Sequence, residues 1–223
     1  MSRLFSVLLL SAVGMGLAAE DLSVGMKFRG VAGVKSESGV TNGLGLGVNL
    51  DLPLETIKGS RLSFELGYTY YTGDGARVPV ANAPYSESNS VNYQKTNVQG
   101  FSARAAFGKT LPWVSDMGWQ AGVAFAHLTS RMDAVGDYRT GSSVKTQTGS
   151  WAMSPEAAAY TVSPFVGLTY SFNTAGALEL NLILASYKQV TLTPATSATV
   201  VTPVIGEKNV NTLKFEFGYL FRF

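Results

Sequence analysis

The sequence predicts an all-β fold: an antiparallel up-and-down barrel of eight strands that crosses a membrane. Three observations carry this expectation. Apolar residues alternate with small or polar ones in segments of about ten residues, the length at which a tilted strand spans a bilayer. Short and long connections between the segments alternate. The last segment places Leu213, Phe215, Phe217, Tyr219, Phe221 and Phe223 on one face, an almost wholly aromatic surface suited to a membrane interface.

Before the first segment, residues 1–19 read as a secretory signal peptide. Met1, Ser2 and Arg3 form a basic start, Leu4 to Val13 an apolar run, and Gly16-Leu17-Ala18-Ala19 a stretch of small residues for cleavage. The run is too short to span a bilayer as a helix. Residues 20–223 then form one domain, the barrel. They contain no run of 18 apolar residues, so any crossing must be made by strands in a closed sheet.

In the first segment Leu22, Val24, Met26 and Phe28 alternate with Ser23, Gly25, Lys27 and Arg29. The second alternates leucines and Val48 from Leu44 to Leu52 with Gly43, Gly45, Gly47, Asn49 and Asp51. The third runs from Leu62 to Tyr70, with Ser63, Glu65, Gly67 and Thr69 on its polar face. The fourth spans Phe101 to Gly108 with Arg104 on the polar face, and the fifth Trp119 to Phe125. The sixth runs from Tyr160 to Phe172 and is interrupted by Pro164, which predicts a bulge or pairing that starts only beyond it. The seventh alternates Leu178, Leu180, Leu182 and Leu184 with Glu179, Asn181 and Ala185, and the terminal segment is the eighth.

The short connections are Pro53–Ser60, Leu111–Gly118 and Asn173–Gly176; the long polar ones are Gly73–Tyr93, Met132–Ala158 and Gln189–Glu207. Lys35–Asn42 is short but polar. An even strand count puts both termini on the short-turn side. Trp113, Trp119, Tyr170, Phe172, Phe221 and Phe223 then form one aromatic girdle, and Tyr68, Tyr70, Tyr160 and Tyr187 the other.

Periodicity leaves open which face points inward. A soluble barrel would turn the apolar face in to hold a greasy ligand. Charged residues are only 14% of the chain, against about a quarter in soluble domains, which favours the membrane reading. With the polar face inward, Lys27, Arg29, Glu65, Arg104, Glu179, Lys214, Glu216 and Arg222 form a lumen charge network of both signs. Such a network reads as a plug, while the inward glycines leave room for a narrow passage.

The ending Phe217-Gly218-Tyr219-Leu220-Phe221-Arg222-Phe223 resembles the C-terminal Gly-Tyr and Arg-Phe ending of small Gram-negative outer-membrane barrels: the outer-membrane protein A membrane domain, OmpX and OmpW-like proteins. Leu220 and Phe221 separate Tyr219 from Arg222, a departure from the shortest form of the motif. The resemblance implies an outer-membrane location amid lipid and lipopolysaccharide. It also implies dealings with periplasmic chaperones and the barrel assembly machinery, which would read Tyr219, Phe221 and Phe223. Family roles run from structural support and adhesion to passage of small solutes.

Catalysis finds little support. His127 is the single histidine; Thr129 stands two residues on, where outer-membrane lipid A deacylases, which this stretch resembles, carry serine. Asp133 and Glu156 are the nearest candidates to orient it. With one histidine and no cysteine, neither a metal centre, a disulfide nor a cofactor is expected. A net charge of +2 without a basic run gives no footprint for nucleic acid. Tyr85, Tyr93, Tyr138 and Trp151 in the long loops suit recognition of a host surface, phage or sugar. The expectation is a monomeric, non-enzymatic outer-membrane barrel, structural or a narrow pore, with loop recognition as the alternative and lipid A modification as a minor one.

Overall fold

A computed structural model describes residues 22–33, 40–73, 88–142, 145–193 and 204–223. The proposed signal peptide therefore lies outside the described residues. Among the described residues nine strands are present: β1 (Ser23–Gly33), β2 (Val40–Leu54), β3 (Ser60–Gly73), β4 (Ser88–Leu111), β5 (Val114–Ser142), β6 (Lys145–Met153), β7 (Glu156–Ser171), β8 (Gly176–Thr193) and β9 (Val204–Arg222). Every pairing is antiparallel. The sheet closes on itself, running β1-β2-β3-β4-β5-β7-β8-β9 and back to β1. β6 pairs only with the outer part of β5 and continues the line of β7 across Ser154-Pro155. Nine strands less β6 leave eight in the wall.

The two faces of each strand meet opposite surroundings. On β9, Thr212, Lys214, Glu216, Gly218 and Leu220 are buried, while Leu213, Phe215, Phe217, Tyr219 and Phe221 are exposed. The same parity holds on β1 and β7. Charge inside and hydrocarbon outside inverts a soluble protein. A belt of exposed Leu, Val, Phe and Tyr around a closed ring is stable only where the solvent is lipid. The soluble alternative is thereby excluded.

Tight turns close the short-connection side. In the β2–β3 turn, Gly59 takes φ +77°, a left-handed value that a side chain would strain. Its carbonyl accepts the Thr110 N–H at 2.8 Å, tying this turn to the next. Pro112-Trp113 links β4 to β5, and the Asn173 side chain accepts the Ala175 N–H at 2.9 Å before β8.

On the opposite side the strands outrun the sequence expectation. Much of Met132–Ala158, expected as a loop, is a regular hairpin: β5 continues to Ser142 and β6 returns from Lys145. β4 begins at Ser88, and β8 and β9 stay paired as far as Thr193 and Val204. There the inner face still buries Met132, Ala134 and Trp151, but small and polar residues mix with apolar ones along the strands, so the two-residue hydrophobic signal is lost from the sequence although the ladder continues.

Pro164 causes no bulge on the β5 side, where pairing runs through Val123↔Pro164 without a register shift. On the β8 side the ladder stops at Phe165↔Ile183, the residue after the proline. Past that point Ser163 Oγ accepts the Ser186 N–H at 3.3 Å. The strands then overlap. Val190, on the face of β8 that points outward lower down, is buried against Met132, Ala134, Trp151 and Ala157 on the inner face of β5–β6–β7. The outer half of β8 is tucked inside the wall.

Candidate functional site

Six of the charged side chains named from sequence meet in mid-lumen. Arg104 donates both terminal nitrogens to Glu216, at 2.6 and 2.7 Å. β4 and β9 stand four places apart in a ring of eight, so this bidentate pair spans the diameter. Arg29 bridges Glu65 at 2.9 Å and Glu216 at 3.5 Å. Lys27 bridges Glu179 at 3.0 Å and Glu65 at 3.2 Å. Only Arg104–Glu216 spans the lumen; Lys27 and Arg29 on β1 reach carboxylates one or two strands away, and Glu65 and Arg104, register partners on adjacent strands, bond elsewhere. All six side chains are at most 7% exposed.

Two polar residues outside the sequence-derived set complete the network. The Gln120 amide donates to Glu179 at 3.1 Å and to Asn181 at 2.7 Å; Asn181 donates to Glu216 at 3.2 Å. Their inward parity was readable, but neutral amides drew no notice beside charges. A carboxylate in low dielectric needs several donors at once, and these amides supply what the cations leave over.

The remaining two charges stand apart. Arg222 reaches Asp51 at 3.4 Å near the short-turn end, where Asn49 and Ser63 also donate to that carboxylate. Lys214 is fully buried with its Nζ 3.9 Å from the centre of the Tyr71 ring and 5.4 Å from that of Tyr187. Those tyrosines pack with Val31, Val98 and Leu128 in an apolar layer.

The inward glycines do not hold space open. A Cβ at Gly45 would lie 3.1 Å from the Arg29 guanidinium carbon, and one at Gly47 2.7 Å from Glu65 Oε1. Tyr71 leans over Gly43 in the same way. The bare second strand is the surface on which its neighbours' long side chains lie.

Several expectations need correction. Tyr187, expected in the outer girdle, points inward and is 2% exposed. It lies an odd number of residues beyond Leu184, so strand parity turns it in. Trp151, expected as a loop aromatic, is buried in the layer with Met132 and Val190. Tyr85 lies outside the described residues. Trp113, Trp119, Tyr68, Tyr70 and Tyr170 all face outward and exposed, as do Tyr219, Phe221 and Phe223. The Tyr219 ring stacks on that of Phe172, and the Phe221 and Phe223 rings meet edge to face.

His127 faces outward, its ring 4.8 Å from that of Tyr160. The carboxylates considered for it are engaged elsewhere. Asp133 accepts from Ser154 at 2.7 Å and Arg131 at 3.0 Å, which hold its carboxyl below the usual range; Glu156 faces Arg131 at 3.7 Å. Neither is placed to orient an imidazole.

No protein-family model matches the chain, and no curated protein matches it in sequence. Solved structures similar to it include Neisserial surface protein A (TM-score 0.44, 14% identity, covering 91% of this chain and 97% of that one). A major outer membrane protein of Thermus thermophilus gives 0.42 at 12% identity, with coverages of 89% and 99%. Ail, the attachment invasion locus protein of Yersinia pestis, gives 0.40 at 9% identity, with coverages of 91% and 96%.

Proposed function

We propose that this chain is a non-enzymatic outer-membrane barrel of a Gram-negative cell whose transmembrane part is a sealed structural cylinder. The observation that carries the reading is the Arg104–Glu216 pair across the lumen diameter, packed about by Arg29, Glu65, Lys27 and Glu179. The Lys214–Tyr71–Tyr187 layer and the tucked β8 segment form further seals beyond it. A solute would have to part several buried, hydrogen-bonded ion pairs at once. Between the two roles that the sequence left open, plug and passage, these contacts favour the plug. Liposomes carrying the refolded protein should therefore not swell in isotonic arabinose; swelling at a porin-like rate would refute the reading.

A second reading, recognition at the cell surface, is favoured by the β5–β6 hairpin. Paired with the outer part of β4, it stands beyond the apolar belt as a three-stranded sheet. Replacing residues 138–147 by a short turn should leave the barrel folded and abolish any cell or phage attachment that the intact protein confers. Attachment that survives would point away from the hairpin.

A further inference from the structure

On the long-connection side of Pro164 the edge of β7 that faces β8 is bare. The Met132 N–H donates to the Pro155 carbonyl at 3.0 Å, so odd-numbered residues on this line turn their backbone groups toward β5. The even-numbered Ala158, Tyr160 and Val162 turn theirs toward β8. They have no backbone partner there among the described residues, because the β7–β8 ladder ends at Phe165↔Ile183. Their side chains face outward, Tyr160 88% and Val162 55% exposed. A bare strand edge in such a wall is costly. The strand that fits it is the outer half of β8. Carried on residue by residue, the register sets Val162 opposite Ser186, Tyr160 opposite Lys188 and Ala158 opposite Val190. Parity agrees, since Leu178, Leu180 and Leu184 on β8 face outward too. The Ser186 N–H already reaches this edge. The Ser163 hydroxyl holds it at 3.3 Å, one residue from the Val162 carbonyl that the register assigns to it. Val190 instead lies behind the wall, buried with Met132, Ala134, Trp151 and Ala157.

We propose that the outer half of β8 is a strap with two seats, tucked inside the wall as the structure shows it, and zipped onto the edge of β7. The two seats satisfy different groups. Tucking buries Val190 and packs Leu192 against the apolar layer. Zipping completes ladder bonds at Val162, Tyr160 and Ala158. Pro164 weights the choice, because its missing N–H is the donor that a zipped seam needs next beyond Phe165. Zipping draws β8 off Met132, Trp151 and Ala157 and opens a recess toward the long-connection side. The ion pairs of Lys27, Arg29 and Arg104 are untouched by this movement, so the recess is blind and the cylinder stays sealed.

Disulfide trapping tests it, since the chain has no cysteine of its own. Ala157→Cys with Val190→Cys places both thiols in the inner apolar layer and reports the tucked seat. Ala158→Cys with Val190→Cys sets them on opposite sides of the wall when β8 is tucked and directly opposite when it is zipped, within disulfide reach. Each pair is refolded in vesicles, oxidised with diamide and read by thiol alkylation. Both pairs should close, the 158–190 pair more slowly. Adding Pro164→Val should speed the 158–190 pair about fivefold, the worth of one restored hydrogen bond. Closure of only one pair, or a 158–190 rate indifferent to Pro164→Val, would overturn the proposal. If Val190→Cys does not show heat-modifiable gel mobility, Glu156→Cys with Leu192→Cys, opposite in the same register, replaces the outward trap and is read the same way.

Discussion

Glu216 is the residue on which the lumen turns, because two arginines and an asparagine converge on its carboxylate. Glu216→Gln should cost about 3–5 kcal/mol, since it leaves Arg104 and Arg29 buried with one counter-charge fewer. The double variant Arg104→Met with Glu216→Leu should cost less than the single one, because it withdraws both charges together. Urea titration in vesicles measures both, and a double variant worse than Glu216→Gln would contradict the account. Lys214 behaves oppositely. Its ammonium lies on the Tyr71 ring with no hydrogen-bond partner among the described residues. A desolvated cation–π contact contributes about 2 kcal/mol, while burying an ammonium costs several. Lys214→Met should therefore hold or raise stability in the same titration, and a loss above about 2 kcal/mol would show that the charge has a partner.

At the scale of elements, Pro164 decides where β7 and β8 part. Its nitrogen carries no hydrogen, and the β7–β8 ladder ends at the next residue. Pro164→Val should let pairing run further, slowing amide hydrogen exchange along Leu184–Lys188; unchanged exchange would mean that the tucked β8 segment holds the seam apart by itself. The eight wall strands were legible because lipid on one side and a polar lumen on the other impose strict alternation. The outer reach of β4, β5 and β6 was not, because small and polar residues there blur the alternation although Met132, Ala134 and Trp151 are still buried inside. The lumen charges were legible by parity. Of their partners, Arg29 with Glu216 follows from barrel closure, which sets β1 beside β9; the others depend on side-chain length across the lumen, which is not written in the spacing along one strand. Tyr187 and Trp151 lie inside for different reasons: strand parity on β8 turns Tyr187 in, and extension of the sheet into the β5–β6 hairpin buries Trp151.

The whole molecule is a polar cylinder in an apolar sleeve, and both properties can be tested. Phe217 sits on the lipid face near the middle of the β9 belt. Phe217→Lys should destabilise the vesicle-inserted protein by about 2–4 kcal/mol, whereas Phe217→Leu, which keeps the lipid face apolar, should cost well below that. A sleeve indifferent to Phe217→Lys would reopen the question of which face meets lipid. The central claim, that the cylinder is sealed, is tested most directly by planar-bilayer conductance in symmetric salt. The wild type should be silent, and the Arg104→Ala, Glu216→Ala double variant should stay silent too, because the Lys214–Tyr71–Tyr187 layer and the tucked β8 segment still close the cylinder. Discrete, reproducible openings in the wild type would contradict the account and make Arg104 and Glu216 the lining of a pore.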